Sequence, residues 1–234
     1  MLRTPPLAVL APAALALALL VPAAASAQAE NMSFFITSHG PGEGADLGGI
    51  EGADAWCDHL AYAVGHGDKE WRAYLSTTGP GGENARDRIG TGPWYNYEGV
   101  LIARDVADLH SEDVNIDAGT VLTARGAPIK GRGETPNTHD ILTGSTLDGR
   151  ALDTDGDTTC ENWTTSSSDG SAQVGHHDRT GGGQNPESWN SAHGSRGCSQ
   201  EDLRGTGGDG YFYCFAADAG GMDDSDAALL LRRD

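Results

Sequence analysis

The residues GGIEGADAWCDHLAYAVG at positions 48–65, followed by WRAYLS at positions 71–76, carry the pattern that decides the fold. Apolar side chains recur there at the i, i+3, i+4 and i+7 spacing of a helix face, at Ile50, Ala53, Cys57, Leu60, Ala61 and Val64. This spacing predicts an amphipathic helix from about Gly49 to Val64, closed by Gly65, with Cys57 on its buried face. The alternation in Trp71–Ser76 predicts a strand after that helix.

Short strands and long loops are expected on both sides of this helix. Ser33–Ser38 is rich in β-forming residues, and Ala85–Ile89 is expected to form a short helical piece. After Gly90, short apolar pieces alternate with turn residues, and the best later strands are Thr158–Thr165, Ser171–Gly175 and Gly210–Ala216. The Gly-, Ser- and Asn-rich stretch Arg179–Gly197 is expected to be a functional or tied-down loop, because unstructured loops of that length are uncommon inside domains.

Acidic residues outnumber basic residues across the chain. There are 34 Asp and Glu against 15 Lys and Arg among 234 residues, a formal charge of −19 with neutral histidines. Nucleic acids and anionic membranes are bound through clusters of basic residues, so this composition argues against both as partners. The 34 glycines and 6% aromatic residues indicate a loop-rich domain rather than a helical bundle, because glycine destabilises helix interiors.

The N-terminal residues have the features of an export signal. Arg3 precedes an apolar run at residues 7–21, and Ala25-Ser26-Ala27 offers a small-residue cleavage site. We therefore assign residues 1–27 to a signal peptide, 28–217 to one folded domain and 218–234 to a C-terminal tail. No apolar run reaches the about 20 residues of a membrane helix, so the mature protein is expected to be secreted or periplasmic, with no membrane span.

All four cysteines of the chain lie in the predicted exported domain: Cys57, Cys160, Cys198 and Cys214. An even number in an oxidising compartment predicts two disulfides, and the count alone leaves three pairings open. A zinc site built from these cysteines is disfavoured, because the chain has no C-x-x-C pair.

The order of motifs around these cysteines resembles endostatin, the C-terminal domain of the multiplexin collagens. Residues 48–65 and 71–76 are similar to its first helix and second strand, and the succession continues with LTGSTLDGRAL at 142–152, TCENWTT at 159–165, SWNSAHGSRGC at 188–198 and YFYCF at 211–215. Endostatin is a variant of the C-type-lectin-like fold, and the last motifs are also similar to the end of C-type lectin domains. The resemblance implies an α+β fold with short twisted strands, one main N-terminal helix and long loops. It also implies the pairs Cys57–Cys214 and Cys160–Cys198.

The binding sites of those families are not expected here in their standard form. C-type lectins hold calcium with a Glu-Pro-Asn or Gln-Pro-Asp loop and a Trp-Asn-Asp strand, whereas this chain has Trp189-Asn190-Ser191 and neither loop. The arginine-rich heparin face of endostatin has no counterpart in so acidic a chain. The histidines of its zinc site precede the first strand, where this chain has Glu30-Asn31-Met32.

One acidic motif is a candidate calcium site. Asp153, Asp155 and Asp157 alternate around Gly156, a spacing of oxygen donors that Ca²⁺ accepts. Glu161 and Asn162 are candidate additional ligands. The alternative is an Asp/Gly turn ahead of the next predicted strand.

A second cluster lies in and before the long loop and comprises His176, His177, Asp178, Trp189, Asn190 and His193. Imidazoles near a carboxylate bind Zn²⁺ or Cu²⁺ and also serve as a general base. Adjacent residues of a strand point to opposite faces, so at most one of His176 and His177 is expected to join His193. The alternative is that these polar groups tie the loop together, with Trp189 packed beneath it.

The sequence predicts a secreted, non-catalytic binding module for a glycan or another extracellular surface, with calcium as the candidate ion and zinc less favoured. Trp189 would stack on a sugar face while Asn190 and His193 orient hydroxyl groups, with His176 and Asp178 in the same binding surface. One alternative is a metal-dependent hydrolase using His176, His177, Asp178 and His193. The other is a structural or adhesive surface protein that self-assembles through calcium.

Overall fold

The computed structural model describes residues 30–217, so the predicted signal peptide and C-terminal tail lie outside the described residues. In chain order the elements are β1 (Phe34–Ile36), α1 (Gly49–Tyr62), β2 (Trp71–Ala73), α2 (Ala85–Arg88), β3 (Trp94–Tyr95), β4 (Leu101–Ala103), α3 (Val106–Leu109), β5 (Asp140–Leu142), α4 (Cys160–Trp163), β6 (Gln173–His176), β7 (His193–Gly194), α5 (Gln200–Thr206) and β8 (Gly208–Ala216). This is a mixed α+β architecture with few helices. Over the described range, no helix is both long and apolar enough to span a bilayer.

The main sheet is organised around β8, which is nine residues long. Strands β1 and β2 pair with it antiparallel, and Phe215 is the partner of Phe34 in β1 and of Arg72 in β2. Strand β5 pairs with β8 in parallel, and β6 and then β7 extend the sheet antiparallel beyond β5. Strands β3 and β4 form a separate two-stranded sheet. The short strands β5, β6 and β7 therefore lie side by side at one end of the main sheet.

Two hydrophobic clusters form the core. One contains the buried face of α1 together with Phe35 and Trp71, whose ring centroids are 4.8 Å apart. The other contains Phe34, Trp189 and Phe215. The neighbours Phe34 and Phe35 enter different clusters because successive side chains of a strand point to opposite faces. Full burial of each such ring stabilises the fold by roughly 1.5–3 kcal/mol.

A buried ion pair fixes α1 to β2. The carboxylate of Asp54, in a residue only 5% exposed, accepts the backbone N–H of Ala73 at 2.8 Å. It also accepts hydrogen bonds from Arg72 and Arg88, each at 2.8 Å. Arg88 donates in addition to the carbonyl oxygen of Ala73. These charge-assisted hydrogen bonds replace the water that the buried carboxylate has lost.

Both disulfides have the pairing that the resemblance implies. Cys57–Cys214 joins α1 to β8, and Cys160–Cys198 joins α4 to the segment that precedes α5. They span 157 and 38 residues of sequence, and each restricts the unfolded chain accordingly.

The prediction of a strand at Thr158–Thr165 is wrong. The helical turn α4 takes its place, and its four residues all have positive φ, between 50° and 68°. The Asp157 carboxylate accepts the backbone N–H groups of Thr159 and Glu161, and Oγ1 of Thr159 accepts that of Asn162. Such local bonds give the backbone an alternative to a strand ladder, and here they prevail.

Helix α5 was not predicted. Its N-terminus is capped by Ser199, whose hydroxyl oxygen accepts the backbone N–H of Asp202. A Ser followed three residues later by an acidic residue is a helix-start signal, and it lies directly after Cys198 at the end of the predicted long loop.

Candidate metal centre and adjacent cleft

Three neighbouring strands bring acidic and imidazole side chains to one face of the main sheet. Asp140 begins β5 and lies opposite His176, the last residue of β6. His193 begins β7 and lies opposite Val174, two residues before His176. Residues two apart on a strand share a face, so the register places Asp140, His176 and His193 together. His139 directly precedes β5 and completes the group.

Four side chains converge here, and we call His139, Asp140, His176 and His193 the imidazole–carboxylate cluster. Oδ1 of Asp140 lies 3.1 Å from Nε2 of His139, 3.3 Å from Nε2 of His176 and 3.7 Å from Nε2 of His193. The Nε2 atoms of His176 and His193 are 3.0 Å apart. The rings of His139 and His176 stack with centroids 4.4 Å apart.

Each imidazole of the cluster is held by a hydrogen bond at Nδ1. The three contacts are His139 to Oδ1 of Asp178 at 3.2 Å, His176 to the carbonyl oxygen of Pro186 at 2.7 Å and His193 to the carbonyl oxygen of Gly194 at 3.1 Å. Carboxylate and carbonyl oxygens only accept hydrogen bonds, so each Nδ1 carries the hydrogen. In a neutral ring, Nε2 then presents a lone pair to the centre of the cluster.

The cluster is shielded from water except on the side of His193. Asp140 is 3% exposed and His176 is fully buried, whereas the side chain of His193 is 23% exposed. Both carboxylate oxygens of Asp140 are buried and have no hydrogen-bond partner among the described residues. A buried carboxylate in that condition requires another source of positive charge.

The charges around the cluster favour cations. Burial by itself lowers the pKa of His176, but contact with Asp140, the hydrogen bond to Pro186 and the charge of Asp178 outweigh it and raise that pKa above its ordinary value. Burial by itself raises the pKa of Asp178, but hydrogen bonds from His139 and from two backbone N–H groups hold it well below its ordinary value. Asp178 is therefore ionised at neutral pH and orients the ring of His139.

Two glycines allow the long loop to close over the rings. A Cβ at Gly181 would lie 2.2 Å from Cε1 of His176, and one at Gly183 would lie 2.7 Å from Cδ2 of His193. Within the described chain, Gly182 between them has no atom within 4 Å of the position of a Cβ. The contact with the imidazoles therefore restricts positions 181 and 183 but leaves position 182 unrestricted.

The alternation predicted for the two adjacent histidines is confirmed. His176 joins His193, whereas His177 has its Nε2 atom 3.3 Å from the carbonyl oxygen of Lys130, and burial lowers its pKa. Asp178 reaches the cluster through His139.

His139 and Asp140 were not predicted as site residues. A signal was present, because a His-Asp pair stands directly before the apolar piece Ile141-Leu142. What the sequence does not show is that β5 pairs with β6.

The structure does not gather Asp153, Asp155 and Asp157 into one site. All three are exposed, and neither of the two groups of potential metal-ligand atoms found in residues 30–217 includes Asp153 or Asp155. Asp157 falls in a group with Cys160 and Cys198, whose sulfurs form a disulfide.

The two additional ligands suggested for this calcium motif belong to α4. Glu161 donates its backbone N–H to Asp157, and Oδ1 of Asn162 accepts the backbone N–H of Thr78 at 2.7 Å. The turn interpretation accounts for these contacts, and calcium binding at the motif stays a prediction.

Trp189 and Asn190 lie beneath the surface. Trp189 is 4% exposed and packs against Tyr74 and Tyr213, with centroid distances of 4.8 and 5.3 Å. The amide of Asn190 donates to the hydroxyl of Tyr74 at 3.0 Å and also to two backbone carbonyl oxygens. This arrangement agrees with the alternative that Trp189 is packed beneath the loop.

Both residues line a cleft of about 670 Å³. The rest of its lining is His110, Ser111, Glu112, Leu147, Arg179 and residues 184–188. Leu147 is 54% exposed, an unusual position for a large apolar side chain in this protein. The cleft thus combines acidic, basic and apolar groups above an aromatic floor.

The histidine of the cleft is held in one tautomer. Nδ1 of His110 donates to the carbonyl oxygen of Val106 at 2.7 Å, and Nε2 accepts the hydroxyl of Tyr74 at 2.7 Å. Burial lowers the pKa of His110, so the ring is neutral at pH 7.

None of the models of known protein families matches this chain, and none of the curated protein sequences matches it.

Proposed function

We propose that this chain is an extracellular, non-catalytic binding module with an endostatin-like variant of the C-type-lectin-like fold. The α+β architecture, with its main helix joined by a disulfide to the last strand, supports that fold. The pairing of all four cysteines supports it independently of the strand order. Two disulfides also fit an oxidising compartment outside the cytosol.

The lining of the cleft carries the proposed function. A saccharide presents hydroxyl groups that both donate and accept hydrogen bonds, together with apolar C–H faces. Glu112 and Glu187 offer acceptors, Arg179 offers donors and exposed Leu147 offers an apolar contact. A volume of about 670 Å³ lies within the usual range of ligand sites.

The floor of the cleft is preorganised. Trp189 is fixed by its aromatic neighbours, and the amide hydrogens of Asn190 are already used by Tyr74 and by backbone carbonyls. We therefore assign direct contacts with the saccharide to Glu187, Arg179 and Leu147, above a floor formed by Trp189 and Asn190. A rigid floor reduces the entropy lost on binding.

A glycan array followed by titration calorimetry with the best binder tests this proposal. Glu187→Gln keeps the size of the side chain but removes its charge, and we expect it to weaken binding about tenfold, the loss of one charge-assisted hydrogen bond. Glu43→Gln, an exposed residue outside the cleft, is the matched control and should bind as the wild type does. Equal affinities of the two variants, or an array without binders, would reject the saccharide cleft.

The second candidate is the metal-dependent hydrolase. One observation favours it: the imidazole–carboxylate cluster has an open side at His193, which is 23% exposed. Against it, the structure does not bring together the four residues named for the hydrolase, because His177 lies outside the cluster with its Nε2 atom 3.3 Å from the carbonyl oxygen of Lys130. Cleavage of the bound saccharide that stops when a chelator is added would favour the hydrolase, whereas an intact saccharide favours the binding module.

A further inference from the structure

We propose that His139, Asp140, His176 and His193 bind one divalent transition-metal ion, and that zinc is the ion they suit best. A tetrahedral site with ligand distances of about 2.0–2.1 Å has edges of roughly 3.3–3.4 Å. Four of the six separations between ligand atoms in the cluster are 3.0, 3.1, 3.3 and 3.7 Å. His139, Asp140 and His176 thus present three closely grouped ligand atoms. His193, next to Asp140 and His176, is the candidate fourth ligand on the exposed side.

The hydrogen-bonding pattern calls for a cation at the centre. All three rings use Nδ1 as a donor to an outer acceptor, so in its neutral form each ring presents an Nε2 lone pair to the oxygens of Asp140. Four such acceptors repel each other at these distances when neither a proton nor a metal ion lies between them. A metal ion accepts all four lone pairs at once, and outer hydrogen bonds of this kind are typical of histidines that bind metals.

The buried carboxylate is an independent observation. Asp140 is 3% exposed, and neither of its oxygens has a hydrogen-bond partner within residues 30–217. Three imidazole nitrogens of the same cluster lie within 3.7 Å of its Oδ1 atom. Coordination to a cation would satisfy an oxygen that the protein itself does not satisfy.

The donor set selects the class of ion. Three imidazole nitrogens and one carboxylate oxygen suit Zn²⁺, whereas Ca²⁺ takes six to eight oxygen ligands and Mg²⁺ prefers oxygen in an octahedral arrangement. With His193 as the fourth protein ligand the coordination sphere would be closed, which is the pattern of structural rather than catalytic zinc. The 23% exposure of His193 leaves a path by which the ion enters.

The ion would hold together the ends of three strands and of one loop. His139 and Asp140 lie at the start of β5, His176 at the end of β6 and His193 at the start of β7. The loop between the last two ligands contains residues 184–190, which line the cleft. Its Pro186 carbonyl also accepts the hydrogen bond from His176. Metal binding would thus fix the loop that forms one wall of the cleft.

Metal analysis of the protein purified without a histidine tag tests the site. We expect about one zinc per chain, removed by dipicolinate, with a lower melting temperature after removal and recovery when zinc is returned. Substitution with Co²⁺ should give the strong visible absorption of a four-coordinate ion.

Two variants connect the metal to these residues. His193→Ala changes the least buried ligand, so the fold should survive while zinc affinity falls at least tenfold. His59→Ala, an exposed histidine of α1, is the matched control and should bind zinc as the wild type does. Asp140→Asn keeps the shape of the side chain, removes its charge and should also weaken binding at least tenfold.

The proposal is overturned if zinc, cobalt, nickel and copper all fail to bind at micromolar concentration. It is also overturned if His193→Ala and His59→Ala bind zinc equally, or if zinc leaves the melting temperature of the stripped protein unchanged. The outcome is independent of the saccharide assay, because a chain can bind zinc here whether or not the cleft has a ligand.

Discussion

Replacing Gly181 by alanine should disturb the imidazole–carboxylate cluster, whereas the same change at Gly182 should not. The new methyl group at position 181 would lie 2.2 Å from Cε1 and 2.5 Å from Nδ1 of His176, well inside the contact distance of about 3.5–4.0 Å. His176 is fully buried and bonded to Pro186, so its ring cannot turn away without losing that bond. Overpacking and the lost hydrogen bond together should lower the free energy of unfolding by about 2–4 kcal/mol.

Gly182 offers the matched control. In the described part of the chain, no atom lies within 4 Å of the place that an alanine methyl group would take at this position. The φ of Gly182 is also outside the left-handed region, so alanine fits without strain. Alanine there should stabilise the protein by about 0.4–1 kcal/mol, because it restricts the unfolded chain.

Urea unfolding at neutral pH measures both changes. The difference between the two variants should persist in the presence of a chelator, because it arises from a contact within the protein. NMR detection of the His176 ring nitrogens reports whether Nδ1 keeps its hydrogen. Stabilities of the two variants within about 0.5 kcal/mol of each other would refute the placement of the loop on the ring.

Three other parts of the fold lead to predictions of their own. Asp54→Ala should lower the free energy of unfolding by about 3–5 kcal/mol, because it removes the buried acceptor of the Arg88 guanidinium and of the Ala73 backbone N–H. Glu83→Gln, at the exposed end of the same network, should change it by less than about 1 kcal/mol; urea unfolding that gives equal losses would contradict this. Replacing Cys160 and Cys198 together by serine should lower it by at most about 4 kcal/mol, given the 38 residues between them, and an unchanged urea midpoint would show that α4 holds without the cross-link. Burial lowers the pKa of His110 in the folded state. As the pH falls below about 6.5, this histidine therefore becomes protonated in the unfolded chain before it does in the folded one. The stability contributed by the neutral ring is full above that pH and declines below it. The wild type should therefore lose more stability than His110→Gln between about pH 7.5 and 5.5, and equal losses in urea unfolding would exclude the neutral ring.

The local pattern was enough to predict the elements that bury one clear face. Helix α1 begins at Gly49 as expected and ends at Tyr62, close to the predicted Val64, because an amphipathic period over 14 residues is a strong signal. Strands β1 and β8 were found for a similar reason, since their residues are rich in aromatic β-formers. The segment around Cys160 has the composition of a strand, but the side chains of Asp157 and Thr159 bond to its backbone and favour a turn.

Only part of the imidazole–carboxylate cluster could be predicted from the sequence, namely the residues on strands with an alternating pattern. The alternation of a strand correctly predicted that His176 and His177 separate, and the structure shows that His176 is the one next to His193. His139 and Asp140 were missed because their position depends on the pairing of β5 with β6. These two strands are separated in sequence by residues 143–172, which include α4. The pairing of strands that are distant in sequence is set by the packing of the whole sheet, so it cannot be inferred from the periodicity of one segment.

The segment between His176 and His193, which contains most of the predicted long loop, links the proposed metal ion to the proposed cleft. It leaves the sheet at His176 and returns at His193, and the strand that receives it, β7, is only two residues long. So short a strand gives few ladder hydrogen bonds to hold the returning chain. The disulfide at Cys198 fixes the chain five residues further on, and an ion shared by His176 and His193 would fix both ends of the loop itself. A loop whose ends are fixed loses less entropy when its middle becomes ordered. The wall of the cleft would then be ordered before a saccharide arrives, so a chain with short strands and many glycines can still present a preformed site.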